Sequence, residues 1–188
     1  MSVDRAAAPP STRHAAPAAG VGLGVRPARA DEAPLLSELA MRSKGWWGYS
    51  ASFLKACEAE LTLSPEQAAK AVVVEVDGVV AGFHLLEPST RGGDVGELDM
   101  LFVDPVFIGS GIGRILFEDA RRAAAARGWS RVQIQADPQA RPFYERLGAV
   151  QVGERLSRSI PGHSLPLFEI TLRGGGTGRP VARATYWR

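Results

Sequence analysis

Val103-Asp104-Pro105-Val106-Phe107-Ile108-Gly109-Ser110-Gly111-Ile112-Gly113-Arg114 joins a β-rich run to the clearest amphipathic helix in the sequence. Three glycines stand at alternate positions in it. Glycine admits positive φ and lets a ligand approach the backbone closely, and a helix that starts here offers N–H groups without intrahelical partners. The first turn lacks the Asp or Glu that usually balances the helix dipole and carries Arg114 instead. Together these features predict a place for negative charge that a ligand brings; the bland alternative is a flexible strand-to-helix connection. Two other phosphate motifs do not fit. A P-loop needs Gly-Lys-Ser/Thr, and the nearest lysine is Lys70. A dinucleotide fingerprint needs Gly or Ala where Arg114 stands if counted from Gly109, or where Leu116 stands if counted from Gly111.

Outward from this loop the hydrophobic periodicity is easy to follow. Over 111–127, Ile112, Ile115, Leu116, Ala120 and Ala123 form an apolar stripe, Arg114, Glu118, Arg121 and Arg122 face away, and Gly128 stops the helix. Upstream, 96–103 reads as a strand halted by Pro105, and 71–76 with 79–86 as a hairpin turned by Asp77-Gly78. Before them come a short strand over 21–26 and a helix from Asp31, as its cap, to Ser43, with Leu35, Leu36 and Leu39 on its buried face. A second helix covers about 50–60, and Ser64-Pro65-Glu66 opens a short third one. Downstream, 131–136 is a strand, 139–147 a helix, and 149–152 and 167–172 are closing strands. This mixed order predicts an α/β (α+β) sandwich on one sheet, not a doubly wound parallel fold.

The chain has 188 residues with 45% apolar and 22% charged, which suits one soluble domain with room for tails. Residues 1–23 are rich in Ala and Pro and 173–188 in Gly and Arg; both are expected to be disordered arms around a domain at 24–172. The two ends hold five net positive charges between them, which leaves the domain at −3 against a total of +2. A mildly acidic domain has no footprint for a nucleic-acid backbone. The longest apolar stretch, 71–86, is broken by Glu75, Asp77 and His84, so no membrane span is expected, and no apolar run follows Asp4 and Arg5 as a secretory signal would require. One cysteine, Cys57, excludes an internal disulfide and a cysteine-rich metal site; a cytoplasmic protein without metal is expected.

With those segments in place, the chain resembles the GNAT superfamily of acetyl-CoA-dependent N-acetyltransferases. The family's Arg/Gln-x-x-Gly-x-Gly/Ala mark is similar to Ile108-Gly109-Ser110-Gly111-Ile112-Gly113, after Leu101-Phe102-Val103-Asp104-Pro105. Its Asn-x-x-Ala-x-x-Phe-Tyr-x-x-x-Gly element resembles 137–148, with Asp137, Ala140, Phe143, Tyr144 and Gly148 at the matching places. The likeness covers roughly 24–172. It implies a single mixed, mostly antiparallel sheet flanked by helices, with acetyl-CoA as cosubstrate and a small-molecule amine as acceptor; a homodimer is common among related proteins. Leu101, Phe102, Val103, Ile108, Gly109, Ser110, Gly111, Ile112, Gly113, Arg114 and Asp137 are the cofactor contacts that it implies. Two positions depart from the pattern: Ile108 replaces Arg or Gln, and Asp137 replaces Asn, which puts a carboxylate near phosphate.

Acyl transfer to an amine needs a neutral amine, a polarised thioester carbonyl and a proton for the departing thiolate. By resemblance, Tyr144 is the acid toward sulfur; the plain alternative is an aromatic packed on the sheet. Glu97 and Asp99 lie two apart on one strand, hence on one face unless a bulge intervenes. Glu97 is expected as base and Asp99 as its runner-up or as the ammonium contact, against a solvated strand end. His84 reads as a packed histidine. His163, in a loop, and Trp47 and Tyr49, between the first two helices where related enzymes build the acceptor site, are expected to line the acceptor pocket. Cys57 reads as a core residue. Protein N-terminal acetylation and a non-catalytic CoA-binding module are the rival readings.

Overall fold

A computed structural model of the chain describes residues 22–90 and 92–172. Nearly all of the expected 1–23 arm and the whole 173–188 tail lie outside the described residues. Seven strands, β1 (Leu23–Pro27), β2 (Val72–Val76), β3 (Val79–Pro88), β4 (Val95–Val103), β5 (Arg131–Gln135), β6 (Val150–Leu156) and β7 (Ser164–Thr171), form one sheet in the order β1-β2-β3-β4-β5-β7-β6. All neighbours are antiparallel except β4 and β5. The expected mixed, mostly antiparallel sheet is present. The β2–β3 turn has positive φ at both Asp77 and Gly78, the geometry that matches strand twist in a two-residue hairpin.

Helices α1 (Ala33–Gly45), α2 (Ala51–Leu61) and α3 (Pro65–Lys70) bury Leu36, Leu39, Ala40, Cys57 and Leu61 against Phe83, Leu85 and Met100. On the other side, α4 (Ile112–Ala126) and α5 (Arg141–Arg146) bury Phe117, Ala120 and Tyr144 against Leu86, Leu98, Ile134 and Phe168. The sheet is thus the middle layer between two apolar cores, and their burial is the main stabilising contribution.

Several boundaries differ from the sequence reading for local reasons. A 3₁₀ turn over Ala30–Glu32 precedes α1, and Glu32, not Asp31, fixes its start. The Glu32 carboxylate accepts from the Arg29 amide at 2.7 Å and from both terminal nitrogens of Arg26, at 2.9 and 2.7 Å. The Arg26 guanidinium holds its carboxyl down at about 2 despite burial. The helix after β5 is shortened by a 3₁₀ turn over Pro138–Ala140, which Asp137 caps through the Gln139 amide. β6 and β7 are both longer than expected, because Gly153 and Pro166, residues that weaken a strand pattern, sit inside them around a register shift.

Two irregularities in β4 shape the molecule. Leu85 faces Met100 while Leu86 faces Leu98, so Asp99 has no partner on β3 and forms a bulge. Gly96 lies under the Trp129 indole, where a Cβ would fall 1.9 Å from the ring.

Candidate active site

β4 and β5 pair only through Val95–Glu97 with Arg131–Gln133, although β4 runs on to Val103. Beyond Glu97 the two parallel strands part. Leu98 and Met100–Val103 remain paired with β3 on one side, and residues 98–103 line a cavity of about 900 Å³. A strand edge without a neighbour is a ready partner for amide groups of an extended ligand. Leu101, Phe102 and Val103 lie on this edge and line the cavity.

The glycine loop closes one end of the cleft. Gly109 and Gly111 take φ of +85° and +93°, and a Cβ at either would project into open space, so positive φ, not crowding, requires glycine there. Gly113 has a different reason: a Cβ there would come within 3.2 Å of Phe143 on α5. Gly111 is the N-cap of α4 and offers no side-chain cap. Among the described residues, the amides of Gly109, Gly111, Ile112 and Gly113 donate to no backbone carbonyl, whereas Ile108 and Ser110 close turns onto Pro105 and Phe107. Four amides at a helix start make an anion nest, with Arg114 and Arg146 on the same cavity. Ile108, Gly109, Gly111, Gly113 and Arg114 line it; Ser110 and Ile112 stand beside it in the chain without lining it. The residues fit a pyrophosphate with an extended arm, and Ile108 costs the site a side chain but none of its amides.

Tyr144 is 6% exposed and packs among Phe117, Phe143 and Phe168 while lining the cavity. Burial, and secondarily the Asp137 charge, pushes its phenol well above the ordinary value, so it keeps its proton. Asp137 is not left alone beside the cleft. Lys44 donates to it at 2.6 Å and the Tyr49 hydroxyl at 2.9 Å, across 93 and 88 residues of sequence. The Lys44 ammonium also lies 5.1 and 5.6 Å from the ring centres of Tyr49 and Phe53. Tyr49 stacks on Phe53 and does not line the cavity; it is a strut for Asp137, unlike the expected acceptor wall. Trp47, Phe53 and His163 do line it. Cys57 also reaches the cavity, but burial raises its thiol pKa and holds it protonated.

The two carboxylates that strand spacing puts on one face both line a small recess beside the cleft, and only Asp99, at the bulge, also reaches the main cavity. Glu97 accepts from Arg155 at 3.2 Å and from Ser89 at 3.3 Å, and it lines only a recess of about 40 Å³ beside the cleft. Asp99 lines both the recess and the main cavity. It accepts from Arg158 at 3.0 Å, and Arg158 lies 3.6 Å from Glu60 on α2. Glu60 also accepts from the Ser159 hydroxyl. Lys44, Phe53, Glu60, Arg155 and Arg158 were not singled out by sequence reasoning. They come from helices or the β6–β7 region, and only an amphipathic position with a charge at its edge marks Glu60. His84 is packed, with Nε2 3.0 Å from Asp119 on α4, away from the cleft.

The chain matches the acetyltransferase (GNAT) domain family over residues 38–159, more than half of its length. It is 35% identical over 66 residues to a glucosamine 6-phosphate N-acetyltransferase from Trypanosoma brucei brucei, a match that covers 34% of this chain and 45% of that protein. Thus the matched part spans under half of that relative. Its fold is similar to that of PaiA N-acetyltransferase from Thermoplasma acidophilum, solved in complex with coenzyme A, with a TM-score of 0.65, 19% identity, and coverage of 80% of this chain and 99% of that one. A GCN5-related N-acetyltransferase from Rhodopseudomonas palustris gives 0.66 at 21% identity, covering 83% and 100%. Among the described residues no helix is long and apolar enough to cross a membrane.

Proposed function

The chain belongs to the GNAT family of acetyltransferases, and on that footing we propose that it moves an acetyl group from acetyl-CoA directly to the amine of a small molecule. The observation that carries this reading is the cleft where β4 leaves β5. Glycine-loop amides without a backbone partner, the Asp99 and Glu60 carboxylates and a buried phenol share its lining.

Acetyl-CoA supplies a thioester-activated acetyl group. The chain's own groups do the rest. Amides of Gly109, Gly111, Ile112 and Gly113 take the pyrophosphate, with Arg114 and Arg146 adding charge. The free edge of 98–103 pairs with the amide-bearing arm and gives backbone N–H groups to the acetyl carbonyl. Asp99, on the bulge and on the main cavity, takes the proton from the acceptor ammonium, with Glu97, paired with Arg155 in its recess, as the alternative base. The neutral nitrogen bonds to the acetyl carbon, the carbon–sulfur bond breaks, Tyr144 gives its proton to sulfur, and the second proton shed by the new amide nitrogen restores the phenol. Burial keeps the phenol protonated, so the proton is there to give.

The test is thiol release measured against pH. Tyr144→Phe lowers kcat by about 10²–10⁴-fold, the usual contribution of a positioned acid, with little change in acetyl-CoA affinity. Asp99→Asn loses most at low pH and recovers as pH rises, because the acceptor then arrives already neutral. Binding of CoA without thiol release toward any amine identifies a non-catalytic CoA-binding module instead, and full kcat in Tyr144→Phe assigns the acid to another group.

A further inference from the structure

The acceptor end of the cavity contains a cation of its own. Arg158 sets its guanidinium between two carboxylates from different elements, 3.0 Å from Asp99 on β4 and 3.6 Å from Glu60 on α2. The carboxylate side chains are sheltered, 16% and 30% exposed, while Arg158 is 66% exposed. An ion pair with so exposed a partner is weak and easily exchanged. In the adjoining recess, Arg155 pairs with Glu97 at 3.2 Å and donates to Gln133 at 3.0 Å, so that pair has no charge left over. Once Arg158 moves, the acceptor end presents two carboxylates to whatever replaces it. Trp47, Phe53 and His163 line the same cavity and suit an apolar chain beside a cation.

We infer that the acceptor is a compact dication, an alkyl diamine, whose reacting ammonium seats on Asp99 and whose second ammonium seats on Glu60 in place of Arg158. This rests on the transfer reading above and names its substrate class. The reacting ammonium loses one proton to Asp99, its nitrogen bonds to the acetyl carbon as the carbon–sulfur bond breaks, Tyr144 protonates the sulfur, and the nitrogen's second proton returns to the Tyr144 oxygen. The second ammonium keeps its charge and serves only to bind. A carboxylate or phosphate in its place meets Glu60 with like charge, and an uncharged terminus leaves Arg158 where it is.

Three acceptors of similar length isolate the charge of the far end: 1,4-diaminobutane, butylamine and 4-aminobutanoate, compared by thiol release from the full chain at saturating acetyl-CoA. The expected order of kcat/KM is diamine, then monoamine, then amino acid, with the diamine ahead of butylamine by at least roughly threefold, as one added ion pair gives. In Arg158→Gln the KM for the diamine falls by about two- to fivefold, since the internal competitor is gone. Glu60→Gln removes the diamine's advantage over butylamine. A higher kcat/KM for 4-aminobutanoate than for butylamine, or a raised diamine KM in Arg158→Gln, overturns the proposal and makes Arg158 a contact for an acceptor anion. Turnover of other amines but none of these three also overturns it. Absence of thiol release with every class of amine, in a chain that binds CoA, overturns the transfer reading itself.

Discussion

Lys44 lies 93 residues from Asp137 in sequence and 2.6 Å from it in space, with side chains only 14% and 10% exposed. In the proposed reading a carboxylate at that place would face a polyanionic cofactor; the ammonium cancels it, and Tyr49 and the Gln139 amide take its remaining lone pairs. Removing one partner of a sheltered pair leaves an uncompensated charge and is costlier than removing both. Lys44→Met is therefore expected to weaken CoA binding by roughly tenfold, and Lys44→Met with Asp137→Asn to recover most of it, since an Asn oxygen still accepts from Tyr49 and Gln139. Equal losses in the single and double variants contradict this account. At this scale the sequence is informative where function sits in one contiguous stretch. The glycines at 109 and 111 and the Phe143-Tyr144 pair are visible because loop and helix carry them in fixed order. Lys44, Glu60 and Arg158 are not, because each acquires its meaning from a partner on another element. Asp137 was legible as a departure from pattern; the cation that compensates for it was not.

β4 shows how a single element carries both fold and site. Its apolar composition predicts a strand, and the alternation of Glu97, Asp99 and Leu101 predicts one face. The bulge at Asp99 breaks that alternation, and no residue of 95–103 announces it, since the extra residue is defined only against the register of β3. Glu97 and Asp99 share the recess, and Asp99 alone also lines the cavity. Gly96, at the last stretch where β4 still pairs with β5, is legible afterwards as the seat of Trp129. Adding a methyl there drives a Cβ to 1.9 Å from the indole, so ring or strand must shift. Overpacking of this kind costs about 1–3 kcal/mol, and Gly96→Ala is expected to lower Tm by roughly 3–10 °C. Gly96→Ala combined with Trp129→Leu recovers part of the loss. An unchanged Tm in a thermal melt shows that Trp129 moves freely and does not fix the strand junction.

The whole molecule follows from one topological exception. The antiparallel neighbours stay paired over five or more positions, but the parallel pair among the described strands, β4 and β5, is joined through the long α4 connection and holds together for three positions only. The opening between them lets the glycine loop, the phenol and the bulged carboxylate share a cavity of about 900 Å³ while two separate cores hold the helices on either face. Strand and helix order was readable from the apolar periods, whereas the parting of β4 from β5 is a property of three-dimensional pairing that no local period encodes. The central claim is that the cofactor's phosphates sit on the amides at the start of α4. The most direct measurement is titration calorimetry of CoA with the full chain and with Gly111→Asp, each checked for folding by circular dichroism. An added carboxylate at φ of +93°, beside four amides that await an anion, is expected to weaken CoA binding by at least roughly tenfold in a chain that remains folded. A folded Gly111→Asp that binds CoA as tightly as the parent would contradict the account, and the cofactor site would lie elsewhere.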